Sequence, residues 1–335
     1  MEKSFVKIYE ELISKQEKRK LESSNFSDKP IMYDGIITPE SSVTIQPVFG
    51  IDFSIDKIGM IELLNDLEKR FNQQTDEQNK NLMWITYAVE NSINEYFGGR
   101  GDGAKRESAY FSNNEHLTLS DIKNERIGLC AERASVAQNC FEVLREAGII
   151  KSYIPHLTNS HLTIKGERTP HSFITLVNEE KSSWIFDIEN NIEYLDKDGN
   201  KTFGVALYKM SKEELEEFKQ GHSLKLKSVY ELSGIEECGQ DRYYGSEELR
   251  TLNEKIEREA DEKSKVTPDN ISNATSQTVQ ANPGEMAKRV QSVSKSFAES
   301  LKQNTHSNDD GEPSTRSGYR YAQVDTYNRK KGQGR

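Results

Sequence analysis

The run CAERASVAQNCFEVLRE, residues 130–146, constrains the fold more than any other stretch of the chain. At helical spacing Ala134, Ala137, Phe141 and Leu144 form one apolar stripe, and Val136, Cys140 and Val143 form a second. A helix that is apolar on two sides must be covered on both, so it belongs at the centre of a domain. Gly148 follows Glu146-Ala147 and suits the left-handed position that ends such a helix. Behind it come three β-type runs, SYIPHLTNSHLTI (152–164), HSFITLV (171–177) and SSWIFDI (182–188), separated by polar breaks. NEEKSS (178–183) reads as a hairpin turn, DKDGNK (196–201) as another, and KEELEEFKQ (212–220) as a short helix.

Upstream, residues 1–21 carry Phe5, Ile8, Leu12 and Ile13 on one helical face. Residues 22–55 are interrupted by Pro30, Gly35, Pro39 and Pro47, with short β-like pieces such as SVTIQPVF. Helical periodicity returns in KIGMIELLNDLEKRF (57–71) and NLMWITYAVENSINEYF (81–97), the second rich enough in large apolar residues to be buried. GGRGDGAK (98–105) is read as a mobile loop, and its Arg-Gly-Asp as a chance tripeptide. After about residue 262 the chain turns polar and low in aliphatics, the composition of disorder. Within that tail, 285–303 places Met286, Val290, Val293, Phe297 and Leu301 on one face, the pattern of a helix that docks on the folded domain, a partner or a membrane surface. The expected organisation is an N-terminal helix and irregular extension (1–55), a catalytic domain (56–261) and a mostly disordered tail (262–335).

Composition supports this division. Only 34% of the 335 residues are apolar and 30% are charged, with a mean hydropathy of −0.81, which is lean for a chain folded throughout. A net charge of −10 argues against nucleic acid as a partner, because phosphate binding needs clustered positive charge. Three cysteines are too few for a disulfide scaffold and point to reduced thiols in a cytoplasmic setting. No run approaches the ~20 apolar residues of a membrane span, so no integral membrane contact is expected. MEKSFVKIYEELISKQEKRK has no apolar core of a secretory signal; secretion as an effector without a classical signal peptide is the alternative.

Cys130 stands where the central helix begins. A thiol reacts as thiolate, and a helix N-terminus, a neighbouring His⁺ and access to substrate favour that form. Of the six histidines, His171 opens an apolar β-run in which a strand would hold its ring rigidly. Asp187 ends the next run, and a hairpin would set the two side by side, the carboxylate orienting the imidazole. His156 and His161 compete for the base role from flanks that read as loop. The default for any cysteine is a small core residue, and that reading is kept for Cys140 and Cys238.

The combination Arg126-x-Gly128-x-Cys130-x-x-x-Ala134, then PHSFITLV, then Trp184-Ile-Phe-Asp187 resembles the transglutaminase-like superfamily of papain-type cysteine enzymes. The resemblance spans about residues 125–190. It implies an α+β fold in which a central helix, bearing the nucleophile at its start, packs on an antiparallel sheet. It further implies Cys130 as nucleophile, His171 as general base and acid, Asp187 as orienting carboxylate and Trp184 packing beside the site. SHLTIKGERT (160–169) departs from the pattern and reads as an inserted hairpin or substrate loop. Glu132 and Arg133 are either structural ion-pair partners or substrate contacts. Trp184, Trp84 and Glu132 are the candidates to line a substrate pocket.

The expected chemistry is acyl transfer on an amide of a protein or peptide through a Cys130 thioester, giving proteolysis, glutamine deamidation or cross-linking, with no cofactor. The Cys130 N–H is one expected oxyanion donor; the second is sought on the Trp84 helix or the 98–120 loop. Two other readings compete. One is a non-catalytic interaction protein on the same scaffold, working through the 285–303 helix. The other starts from Cys130-Ala-Glu132, which also resembles the tetrameric zinc cytidine deaminases; these need a downstream C-x-x-C pair that the sequence lacks. Cys140 cannot substitute, being about 15 Å along the same helix.

Overall fold

The structure is a computed structural model that describes residues 3–16, 29–39, 41–44, 52–75, 81–113, 117–196 and 198–245. It is α+β, built around the helix α6 (Cys130–Glu146). Every residue of α6 from Ala131 to Leu144 is buried, polar and apolar alike. One side of α6 packs on the strands β5 (Ile154–Ile164), β6 (Glu167–Val177) and β7 (Ser183–Leu195). Phe141 meets Phe186 of β7 edge to face, with ring centroids 5.6 Å apart. Burying a side chain of that size contributes roughly 1.5–3 kcal/mol, so α6 and the sheet fix one another.

The polar residues of α6 are covered by the N-terminal segment. Asn139 bonds both backbone groups of Ile37, accepting from its N–H at 2.7 Å and donating to its carbonyl at 3.0 Å. Gln138 donates to the carbonyls of Gly35 and Pro155, and Glu142 accepts from the Gly35 N–H at 2.8 Å. An extended segment with unpaired amides thus finds its partners on a helix, which satisfies both sets of buried polar groups. The segment enters from β1 (Ile31–Asp34), itself paired with β5. The helix α1 (Phe5–Lys15) adds Phe5, Ile8, Tyr9 and Leu12 to the same core. The expected N-terminal extension is therefore part of the domain core.

The main sheet runs β1-β5-β6-β7-β8-β9, with β8 at Lys201–Met210 and β9 at Lys227–Ser228. A further strand, β10 (Arg242–Tyr244), pairs with the far half of the β5 edge that β1 also uses. All these pairings are antiparallel. The face away from α6 has its own core of Phe173, Ile185, Tyr208, Tyr244 and neighbours, covered by α7 (Lys212–Lys219) and α8 (Val229–Leu232). SHLTIKGERT is the tip of the β5–β6 hairpin, turning at Lys165 and Gly166, both with positive φ. His156 and His161, read as loop, lie on β5, where even polar neighbours such as Thr158 and Thr163 are buried.

Two helices, α2 (Lys57–Asn72) and α3 (Leu82–Phe97), pack against the α6 side of the core. A small sheet of β2 (Ser42–Thr44), β3 (Asp52–Ser54) and β4 (Leu117–Thr118) lies outside the main one. The glycine loop after α3 is shorter than expected, since α4 (Gly103–Asn113) begins inside it and α5 (Leu119–Glu125) follows β4. Among the described residues no helix is long and apolar enough to cross a membrane. The tail from 262 and its 285–303 helix lie outside the described residues.

Candidate active site

The ladder between β6 and β7 is short. It joins Ile174–Leu176 to Trp184–Phe186 and stops there, while β6 continues toward His171 and β7 past Asp187. In that register His171 and Asp187 are diagonal neighbours on one face of the parting strands, within reach of each other. His171 Nε2 lies 2.8 Å from Asp187 Oδ2. Cys130, at the first position of α6, stands near enough to the same imidazole to act on its charge. The structure thus brings Cys130 beside the hydrogen-bonded pair of His171 and Asp187.

Asp187 is held from several directions. Its Oδ1 accepts the backbone N–H groups of Glu189 (3.1 Å) and Asn190 (3.3 Å), an Asx turn that starts where the β7–β8 register shifts. Its Oδ2 accepts the Asn190 amide at 3.0 Å and the Tyr244 hydroxyl at 2.9 Å, besides His171. Burial disfavours its charge, but His171, Arg242 and the Asn190 amide outweigh that and lower its pKa to about 2. His171 shows the reverse balance. Burial opposes the charged ring, yet the Asp187 carboxylate and the Cys130 sulfur raise its pKa to about 10. The balance favours the protonated ring.

Cys130 is partly exposed, unlike Cys140, which is sealed in the core with its thiol pKa pushed up by burial. Cys238 is exposed. Beneath Cys130, Glu132 is fully buried and reaches back to accept the Leu129 N–H at 3.1 Å, capping α6. Its other oxygen takes Arg106 Nε at 2.7 Å and the Tyr110 hydroxyl at 3.1 Å. Glu132 is therefore a structural anchor of the helix start and does not line a pocket; with three donors inside the protein it has no face for substrate. Arg133 is buried too, bonding the carbonyls of Gly128 and Gly99 and the Asn94 side chain, and facing Glu189 at 3.4 Å. Arg100 closes on the other oxygen of Glu189 at 2.7 Å. These contacts pin the glycine loop beside the site.

The two tryptophans are elsewhere. Trp84 lies at the start of α3 and lines a small cleft with Arg70, Phe71 and Tyr87. It is ten residues, about 15 Å of helix, before Asn94, the α3 residue that meets Arg133. Trp184 packs against the α6-side core three residues before Asp187, roughly 10 Å along the strand, with Leu176 rather than His171 opposite it. The rival histidines have other partners: His161 meets Arg168 at 2.7 Å, and His156 pairs in register with Asp34 on β1. Among the described residues no group of three His, Cys, Asp or Glu side chains could hold a metal ion.

Sequence reasoning missed Asn190, Tyr244 and Arg106. The Asp-x-x-Asn spacing from 187 to 190 is a legible Asx-turn signal. Tyr244, 57 residues beyond Asp187, carries none. Comparison with protein-family models, curated proteins and solved structures finds no match.

Proposed function

We propose that this chain is a cysteine-dependent acyl-transfer enzyme with a transglutaminase-like core, acting on amide bonds of a protein or peptide. The observation that carries the reading is the imidazole of His171, bonded to a buried carboxylate and neighboured by a partly exposed thiol at the start of a helix. A structural histidine needs one such partner. The sulfur stands at a helix start beside that ring, the placement a nucleophilic thiol takes.

In the reaction, the Cys130 thiolate attacks the amide carbonyl carbon and forms a tetrahedral oxyanion. The Cys130 N–H, in the first turn of α6 where amides lack an intrahelical acceptor, donates to that oxyanion. Collapse breaks the C–N bond, and His171 gives its proton to the departing amine or ammonia. The product is a thioester and neutral imidazole. Water or a second amine then attacks the thioester while His171 takes its proton, and the sulfur leaves as thiolate. Asp187 keeps the ring oriented and stabilises its charge throughout.

The test is mass spectrometry of a cell lysate incubated with the protein or with Cys130→Ala. A gain of about one dalton on glutamine, a new isopeptide or a newly cut chain, present only with the wild type, identifies the reaction as deamidation, cross-linking or proteolysis. Identical peptide profiles from the two proteins would contradict the proposal.

A further inference from the structure

We propose that Tyr244 is a positioning residue of this site, fixing the Asp187 carboxylate from a strand that the sequence places far from the other three residues; the inference rests on the roles of Cys130, His171 and Asp187 given above. The Tyr244 side chain is fully buried, and its hydroxyl donates to Asp187 Oδ2 at 2.9 Å, the oxygen that His171 also uses. A buried tyrosine hydroxyl needs only some acceptor. Here it has the carboxylate on which the imidazole depends.

The strand that supplies it is held on both edges. Tyr244 pairs with Leu162 of β5 on one side. On the other, its N–H and carbonyl exchange bonds of 3.0 and 2.9 Å with Leu224. Arg242 adds bonds to the Tyr208 hydroxyl at 3.0 Å and to the Asn191 carbonyl at 2.8 Å. The hydroxyl is thus delivered to a fixed point. Its ring meets Phe173 edge to face at 5.2 Å, and Phe173 in turn lies 6.0 Å from the His171 ring. Tyr244 therefore closes a loop: it reaches His171 through Asp187 on the polar side and through Phe173 on the apolar side.

The consequence is orientational. The Asx turn fixes Oδ1, but Oδ2 is shared by His171, Asn190 and Tyr244. With the hydroxyl and amide in place, one direction is left for the imidazole. The charged and titratable groups acting on Asp187 are His171, Arg242, Tyr208, Tyr244, Glu90 and Glu189. Of these, Tyr244 combines full burial with a direct donor and carries no charge itself at neutral pH. Removing its oxygen removes a stabiliser of the carboxylate's charge, so Asp187 would take a proton at a higher pH.

Tyr244→Phe keeps both ring contacts and deletes the bond. The experiment is the rate of iodoacetamide labelling at Cys130 in the full chain, read by mass spectrometry from pH 2 to 9, a range that brackets the titration of Asp187. The variant is Tyr244→Phe, alone and combined with Asp187→Ala. The expected result is several-fold slower labelling at neutral pH and an acid limb moved up by about one pH unit, the scale of one hydrogen bond to a charged group. Adding Tyr244→Phe to Asp187→Ala should change nothing further, because the interaction is already gone. An unmoved acid limb, or the same loss in both backgrounds, overturns the positioning role while leaving the nucleophile assignment standing. If wild-type Cys130 labels no faster than exposed Cys238, the underlying site reading fails and this inference with it.

Discussion

His171 and Asp187 meet at 2.8 Å across two strands whose backbone ladder has already ended at Ile174 and Phe186. The bond is made by side chains at the parting of a sheet, where a thiol from the start of a buried helix can reach the same ring. A continuous ladder would leave less room there.

Asp187→Asn keeps the shape of the side chain and removes its charge. The imidazolium then loses its counter-ion, and the amide can present a donor to Nε2, which stabilises the wrong tautomer. Labelling of Cys130 by iodoacetamide at pH 7 should slow about tenfold or more, and His171→Ala should slow it by about 10²-fold, the lower end for a lost acid–base partner. Unchanged rates in both variants would contradict the assigned roles.

The same pair gives stability a pH dependence. His171 is raised from 6.5 to about 10 on folding, so its contribution is full below pH 6.5 and fades as pH rises through about 10. Asp187 is lowered from 3.8 to about 2, so its contribution is full above 3.8 and fades as pH falls through about 2. The stability difference between wild type and Asp187→Asn, measured by urea unfolding, should be greatest near pH 4–6.5 and shrink toward pH 10. A difference independent of pH would speak against the charged pair.

Glu132→Ala removes the cap on the Leu129 N–H and takes one acceptor each from Arg106 and Tyr110. Breaking a buried pair from one side costs about 3–5 kcal/mol. The urea midpoint should fall accordingly, and Glu132→Gln, which keeps an acceptor, should lose less. Equal midpoints for wild type and Glu132→Ala would refute the anchoring role.

Gly101 lies where two backbones meet. Its N–H donates to the Gly128 carbonyl at 3.1 Å, and an added Cβ would stand 2.5 Å from that oxygen and 2.6 Å from the Ile127 carbonyl carbon. Gly101→Ala must push the loop off the segment leading into Cys130. It should cost about 1–3 kcal/mol by urea unfolding, the usual scale of overpacking. Labelling of Cys130 should change with it, since the thiol's surroundings move.

Much of this architecture is legible in the sequence, and what is not has identifiable causes. The double stripe of α6 required burial on two sides, and that burial is found. Yet Gln138, Asn139 and Glu142, which look like solvent positions, are buried because the Gly35–Ile37 backbone bonds them. No periodicity could announce that, since the partner is an extended segment about a hundred residues away. His171 and Asp187 were readable because both lie on strands joined by a short turn. Tyr244 and Arg106 were not, because only the fold brings them near. Tryptophan was a poor guide: Trp84 and Trp184 are large enough to serve packing wherever they fall, and neither reaches the thiol. The polarity of 160–169 belongs to the turn of the β5–β6 hairpin and the strand ends beside it.

The central claim is tested most directly by competition among the three cysteines. With limiting iodoacetamide at pH 6, where an ordinary thiol of pKa ~8.5 is less than about 1% thiolate, the account predicts that Cys130 is labelled well ahead of the more exposed Cys238, with Cys140 untouched. Labelling that follows exposure instead, with Cys238 first and Cys130 unaffected by His171→Ala, would contradict it.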